Sequence, residues 1–63
     1  MCESNVYLKK GQDEKLIMEN VASVTPFDKD SFLLKGLLGE RMEVRAILED
    51  INLMRNKIIL KAL

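Results

Sequence analysis

Glu40-Arg41-Met42-Glu43-Val44-Arg45-Ala46-Ile47-Leu48-Glu49-Asp50-Ile51-Asn52 is the stretch whose reading decides the fold. At period two it sets Met42, Val44, Ala46 and Leu48 on one face, against Glu43, Arg45, Ile47 and Glu49. At the helical period, Val44, Ile47, Leu48 and Ile51 fall on a single stripe. Glu, Arg, Leu, Met and Ala are also good helix formers. Periodicity taken alone therefore favours a helix here. Everything around the stretch reads as strand and turn.

Upstream, Val6-Tyr7-Leu8 belongs to a first strand in which Cys2, Ser4, Val6 and Leu8 share a face. Lys9-Lys10-Gly11-Gln12-Asp13-Glu14 supplies a polar turn, with Gly11 able to take a positive φ. Lys15-Leu16-Ile17-Met18-Glu19-Asn20 is a second apolar run. Asn20 marks a bulge or bend, because Val21-Ala22-Ser23-Val24-Thr25 resumes β-branched character at once. Pro26 is expected to stop that run, since it cannot donate to a central ladder. Phe27-Asp28-Lys29-Asp30 then reads as a tight turn and Ser31-Phe32-Leu33-Leu34-Lys35 as another strand. Gly36-Leu37-Leu38-Gly39 is an apolar loop that needs cover, from the barrel end or from a partner subunit. Downstream, a turn through Asn52–Asn56 leads to a last strand at Lys57-Ile58-Ile59-Leu60-Lys61.

Sixty-three residues make a single domain, 1–63. A chain this short buries only about 60% of the surface its unfolded form exposes. Scaffolds of this size usually add a disulfide, a metal or a second subunit. The sole cysteine excludes an intrachain disulfide. A homo-oligomer is the expected outcome. Ten basic and ten acidic residues cancel and alternate along the chain, so no basic block marks a nucleic-acid binder. No apolar run approaches a membrane span, and no secretory signal is expected, since Glu3 comes early and no basic region precedes an apolar one. A lone free thiol fits a reducing cytoplasm.

Met-Cys-Glu at the start, Asn5-Val6-Tyr7-Leu8, and Leu16-Ile17-Met18-Glu19-Asn20-Val21 after a polar turn are in order similar to the CooT family of small nickel-binding proteins. Leu38-Gly39-Glu40, Glu43-Val44, Ile51-Asn52-Leu53 and Lys57-Ile58-Ile59-Leu60 extend the resemblance over nearly the whole chain. Cys2 is its most specific mark. The resemblance implies a non-enzymatic metallochaperone, built as a small antiparallel β-barrel of the SH3-like kind with five to six short strands. It also implies a homodimer, and a long strand over Glu40–Asp50 in place of the helix. The family's namesake serves carbon monoxide dehydrogenase, a client not transferable to every relative. Many members carry a His where this chain has Asn56. Here there is no histidine at all.

Cys2 has its own chemistry. Once Met1 is removed, its α-amine, its thiolate and the amide of Glu3 lie within chelating reach of one metal. Thiolate with nitrogen donors in a planar arrangement suits Ni(II) or Cu(II), whereas four tetrahedral thiolates suit zinc. One chain cannot comfortably fill four positions, so two chains across a twofold axis would hold one nickel(II) per dimer. The bland alternative is a small buried cysteine. Asp28, Asp30, Glu49 and Asp50 read as solvated turn carboxylates, and Met42 and Met54 as core filler. Arg41, Arg45 and Arg55, balanced by acids, make a poor phosphate-binding face. The competing function is a β-barrel module binding RNA or a protein, with Cys2 structural. An N-terminal cysteine nucleophile lacks any identifiable pocket or oxyanion group.

Overall fold

A computed structural model describes residues 3–63 of the chain. Five strands follow in order: β1 (Ser4–Lys10), β2 (Asp13–Asp28), β3 (Ser31–Gly36), β4 (Arg41–Asn52) and β5 (Lys57–Ala62). They close into a barrel in the sequential order β1-β2-β3-β4-β5. The all-β expectation holds, and the helical reading of residues 40–52 is overturned. Four of the five ladders are antiparallel, but β1 and β5 pair in parallel. The cause is parity. A meander reverses at every turn, so its first and fifth strands run the same way.

β4 explains its own ambiguity. Val44 packs on the core and Ala46 is buried, as period two requires. In the ladder with β5, Leu48 faces Leu60 but the next pair is Asp50 with Ile59, leaving one extra residue in β4. This bulge switches the side-chain parity, so Ile51 pairs with Ile58, which packs on the core, while Ile51 and Leu48 themselves stay half exposed. Leu48 and Ile51 thus share a side three residues apart, which in sequence is indistinguishable from a helical step.

β2 and β4 are long because each serves both halves of the barrel. Residues 13–18 of β2 pair with β1, Val21 pairs with both β1 and β3, and the residues beyond it pair with β3 alone. The bend lies at Asn20, whose φ of 53° is a left-handed value that Asn tolerates better than most residues. β4 changes partner at Arg45–Ala46, from β3 to β5. There the Ala46 amide donates to the Asp30 carbonyl at 2.8 Å. Pro26 does not stop β2, which runs on to Asp28 and pairs Pro26 with Phe32. This half of β2 has only β3 as a ladder neighbour, so a missing amide is tolerated.

The Gly11–Gln12 turn joins β1 to β2, with Gly11 at φ 60° as a two-residue hairpin of the Gly-X kind demands. Each strand gives one residue to the buried core: Val6, Val21, Leu34, Ala46 and Leu60. Leu8, Ile17, Met18, Val24, Phe32, Val44 and Ile58 pack around them. On the outside, Lys57 sits 4.7 Å from the Tyr7 ring and 3.1 Å from Glu14. Lys9 meets Glu49 at 3.0 Å. That hydrogen bond holds the Lys9 ammonium above its ordinary pKa, so any support it gives is complete at neutral pH and fades only in strong alkali.

Two stability predictions follow from the bends. Ala46→Leu overfills the β4 corner and is expected to cost about 1–3 kcal/mol in urea unfolding. An unchanged midpoint would show that the corner has room. Asn20→Val places a β-branched residue at positive φ and should cost about 1–2 kcal/mol, while Asn20→Gly should be nearly neutral. Equal stability of the two variants would remove the backbone argument.

Candidate functional site

The N-terminal candidate Cys2 lies outside the described residues, and the described chain starts at its neighbour Glu3. Glu3 is half-buried and directly precedes β1. What surrounds this start is well defined. Ser4 pairs with Val21, and Val21 also pairs with Gly36, so the beginning of β1 lies beside the bend in β2 and the end of β3.

Asn5 ties these parts together. Its amide donates to the Asn56 carbonyl at 2.9 Å, and its side-chain Oδ1 accepts from the Asn20 amide at 3.2 Å. The Asn20 carbonyl in turn accepts from the Leu37 amide at 3.1 Å. A chain of three hydrogen bonds therefore runs from the β4–β5 turn, across the start of β1 and the β2 bend, to the β3–β4 loop. Asn56, like Asn20, has a φ of 53°. Asn56 is thus a left-handed turn residue bonded to β1 three residues after Cys2. Sequence reading missed Asn5. Its only signal was an asparagine placed directly before the β-rich run Val6-Tyr7-Leu8.

The β3–β4 loop is braced from within. The Gly36 amide donates to the Glu40 carbonyl at 2.9 Å, and the Gly39 amide to the Gly36 carbonyl at 3.2 Å. Glu40 turns its carboxylate back to accept from the Leu38 amide at 3.0 Å. It lies over Gly36 so closely that a Cβ there would sit 2.8 Å from its Cδ. The far turn is braced too: the Arg55 amide donates to Oδ1 of Asn52 at 3.1 Å.

These braces hold apolar side chains out in solvent. Leu37 is 51% exposed, Leu38 90%, Leu53 80% and Met54 94%. The Gly36–Gly39 loop is therefore not covered by its own barrel, one of the two options its sequence allowed. Met54 is not core filler, and Met42 is exposed as well. The turn sequence around Met54 projects it away from a barrel interior already filled by one residue per strand.

The other candidates have local employment. Asp28 accepts from the Lys29 amide at 3.0 Å, Asp30 pairs with Arg45 at 3.3 Å, and Glu49 pairs with Lys9. Among the described residues, no three His, Cys, Asp or Glu side chains gather into a potential metal site. Arg41 and Arg45 are separated by Glu43 in the β4 ladder, facing Lys35, Ser31 and Leu33 respectively. Opposite charges alternate along that edge. No helix among the described residues is long and apolar enough to cross a membrane.

Comparison with known proteins agrees with this layout. The family model described as CO dehydrogenase accessory protein CooT matches residues 1–61. A crystal structure described as a CooT from Carboxydothermus hydrogenoformans superposes with a TM-score of 0.88, at 26% identity, over 98% of each chain. No curated protein sequence matches. With all but the last two residues matched, the chain belongs to the CooT family, whose members are described as CO dehydrogenase accessory proteins.

Proposed function

We propose that this protein is a non-enzymatic nickel-handling accessory protein, which holds Ni(II) at the N-terminal Cys2 across a homodimer and passes it to a nickel enzyme in the cytoplasm. The observation that carries the reading is the family match over residues 1–61, described by service to CO dehydrogenase. The geometry supports it. Asn5 pins the start of β1 on both sides, so a ligand set at residues 2 and 3 extends from a fixed anchor.

The proposed donors are the Cys2 thiolate, its α-amine after loss of Met1, and the backbone amide of Glu3. Amine and thiolate of one residue close a five-membered chelate. Two such pairs, one from each subunit, give a two-nitrogen, two-sulfur set that suits a planar divalent ion. The absence of histidine leaves the sulfur as the only soft donor at this end, apart from the Met54 thioether.

Calorimetric titration of the Met1-processed protein against Cys2→Ser is the direct check. Nickel binding should fall at least 100-fold in the variant, and equal affinities would end the proposal. The reference pKa values of the amine, about 7.7–8.0, and of the thiol, about 8.5, mean that binding at neutral pH must expel protons. Affinity should therefore weaken steadily as pH falls from 8 to 6. A flat profile over that range would exclude the amine–thiolate pair.

A further inference from the structure

We infer that the second half of β4, from Ile47 to Asn52, is a docking edge for an extended protein segment that alternates apolar and basic residues. The inference is independent of nickel. It starts from the partner changes of the two long strands.

β2 and β4 each change neighbour midway. Apart from Val21 at the β2 bend, every half of them therefore has a ladder on one side only among the described residues. An unpaired strand edge invites pairing with another chain, and proteins blunt it with charges or proline. Three of these four half-edges are blunted. The first half of β2 carries Asp13, Glu14 and Lys15, its second half carries Pro26, and the first half of β4 alternates Arg41, Glu43 and Arg45. Each shows one large apolar side chain to solvent, respectively Leu16, Phe27 and Met42. The fourth shows three, Ile47, Leu48 and Ile51, each close to half exposed.

The backbone of this fourth half-edge is aimed outward. The Ala46 amide points away from β5, since it donates to the Asp30 carbonyl. Backbone polar groups alternate sides along a strand, so Leu48 turns its N–H and C=O the same way. The extra residue at the bulge between Leu48 and Asp50 carries that direction on to Ile51. Donors and acceptors thus line the open side over about 20 Å, the reach of a partner strand of roughly six residues. An extended main chain matches such a row residue for residue.

Charge selects the partner. Residues 46–52 hold two acids and no base. Glu49 is occupied by Lys9, whereas Asp50 has no ion-pair partner among the described residues. An added strand therefore needs apolar side chains to cover Leu48 and Ile51, and a Lys or Arg to meet Asp50. A second copy pairing antiparallel along this edge would bring its own Glu49 and Asp50 against the first pair. Like charges facing each other across a ladder are unfavourable.

The test is a titration of the ¹⁵N-labelled full chain with a seven-residue peptide of alternating valine and lysine, followed by amide shifts and hydrogen exchange. The same peptide with glutamate for lysine, and one with proline at its centre, are the comparisons. The expected result is saturable binding of the lysine peptide with slowed exchange at the Leu48 and Ile51 amides. Both comparison peptides should bind at least tenfold more weakly. Asp50→Lys should reverse the preference between the lysine and glutamate peptides. Leu48→Pro removes an edge donor without costing a ladder bond and should lower binding at least tenfold in a folded barrel. If Leu48→Pro does not fold, Asp50→Lys decides the question, since it leaves the ladder intact. No saturable shift with the lysine peptide, equal binding of the glutamate peptide, or shifts centred on Arg41–Arg45 overturn the inference. Protection of the Leu48 and Ile51 amides that grows with protein concentration alone gives the edge to a second copy and overturns it equally.

Discussion

The barrel depends on one constraint: five short-chain strands must close a ring, so β2 and β4 each have to pair with one neighbour and then turn to another. A strand that changes partner must bend, and bending costs backbone freedom or a ladder bond. β2 meets the cost with Asn20 in a left-handed conformation and extra residues in its ladder with β1. β4 meets it with a small buried Ala46 at the corner and a bulge before Asp50. A change that strains either bend weakens the closure. The parallel closing pair and the one-residue-per-strand core both follow from the closure.

The β2 bend also decides what lies at the chain start. Turning at Asn20 frees its amide and carbonyl from regular ladder roles, and they are taken up by Asn5 and Leu37. The beginning of β1 is thereby fixed between two solvent-facing apolar turns. A domain with so small a core gains from any cover over such surface. Structure and proposed function therefore converge on one end of the molecule. The side that leaves apolar groups exposed is the side on which β1 begins.

Much of this was legible in the sequence. The turn at Gly11, the bend at Asn20, the Asp-rich turn before Ser31 and the uncovered Leu37–Leu38 loop all announce themselves through residues with a backbone preference or a solvation cost. The β4 stretch misled for a physical reason. A bulge inserts one residue, and period two plus one is locally three, so Leu48 and Ile51 imitate a helix. Pairing partners more than five residues away resolve that ambiguity, and they are invisible to local periodicity. Pro26 misled for a similar reason, because its tolerance depends on the side of β2 that has no neighbour. Asn5 could not be read as a hub, since its partners Asn20 and Asn56 lie 15 and 51 positions further along the chain. Cys2 was the clearest chemical signal, and it lies outside the described residues.

The central claim is that nickel binds sulfur at the N-terminus of a dimer. Nickel K-edge X-ray absorption of the metal-loaded, Met1-processed protein tests it most directly. The account predicts about two sulfur and two nitrogen scatterers per nickel, in the planar geometry expected of amine–thiolate chelation. A first shell of oxygen and nitrogen alone, with no sulfur, would contradict it.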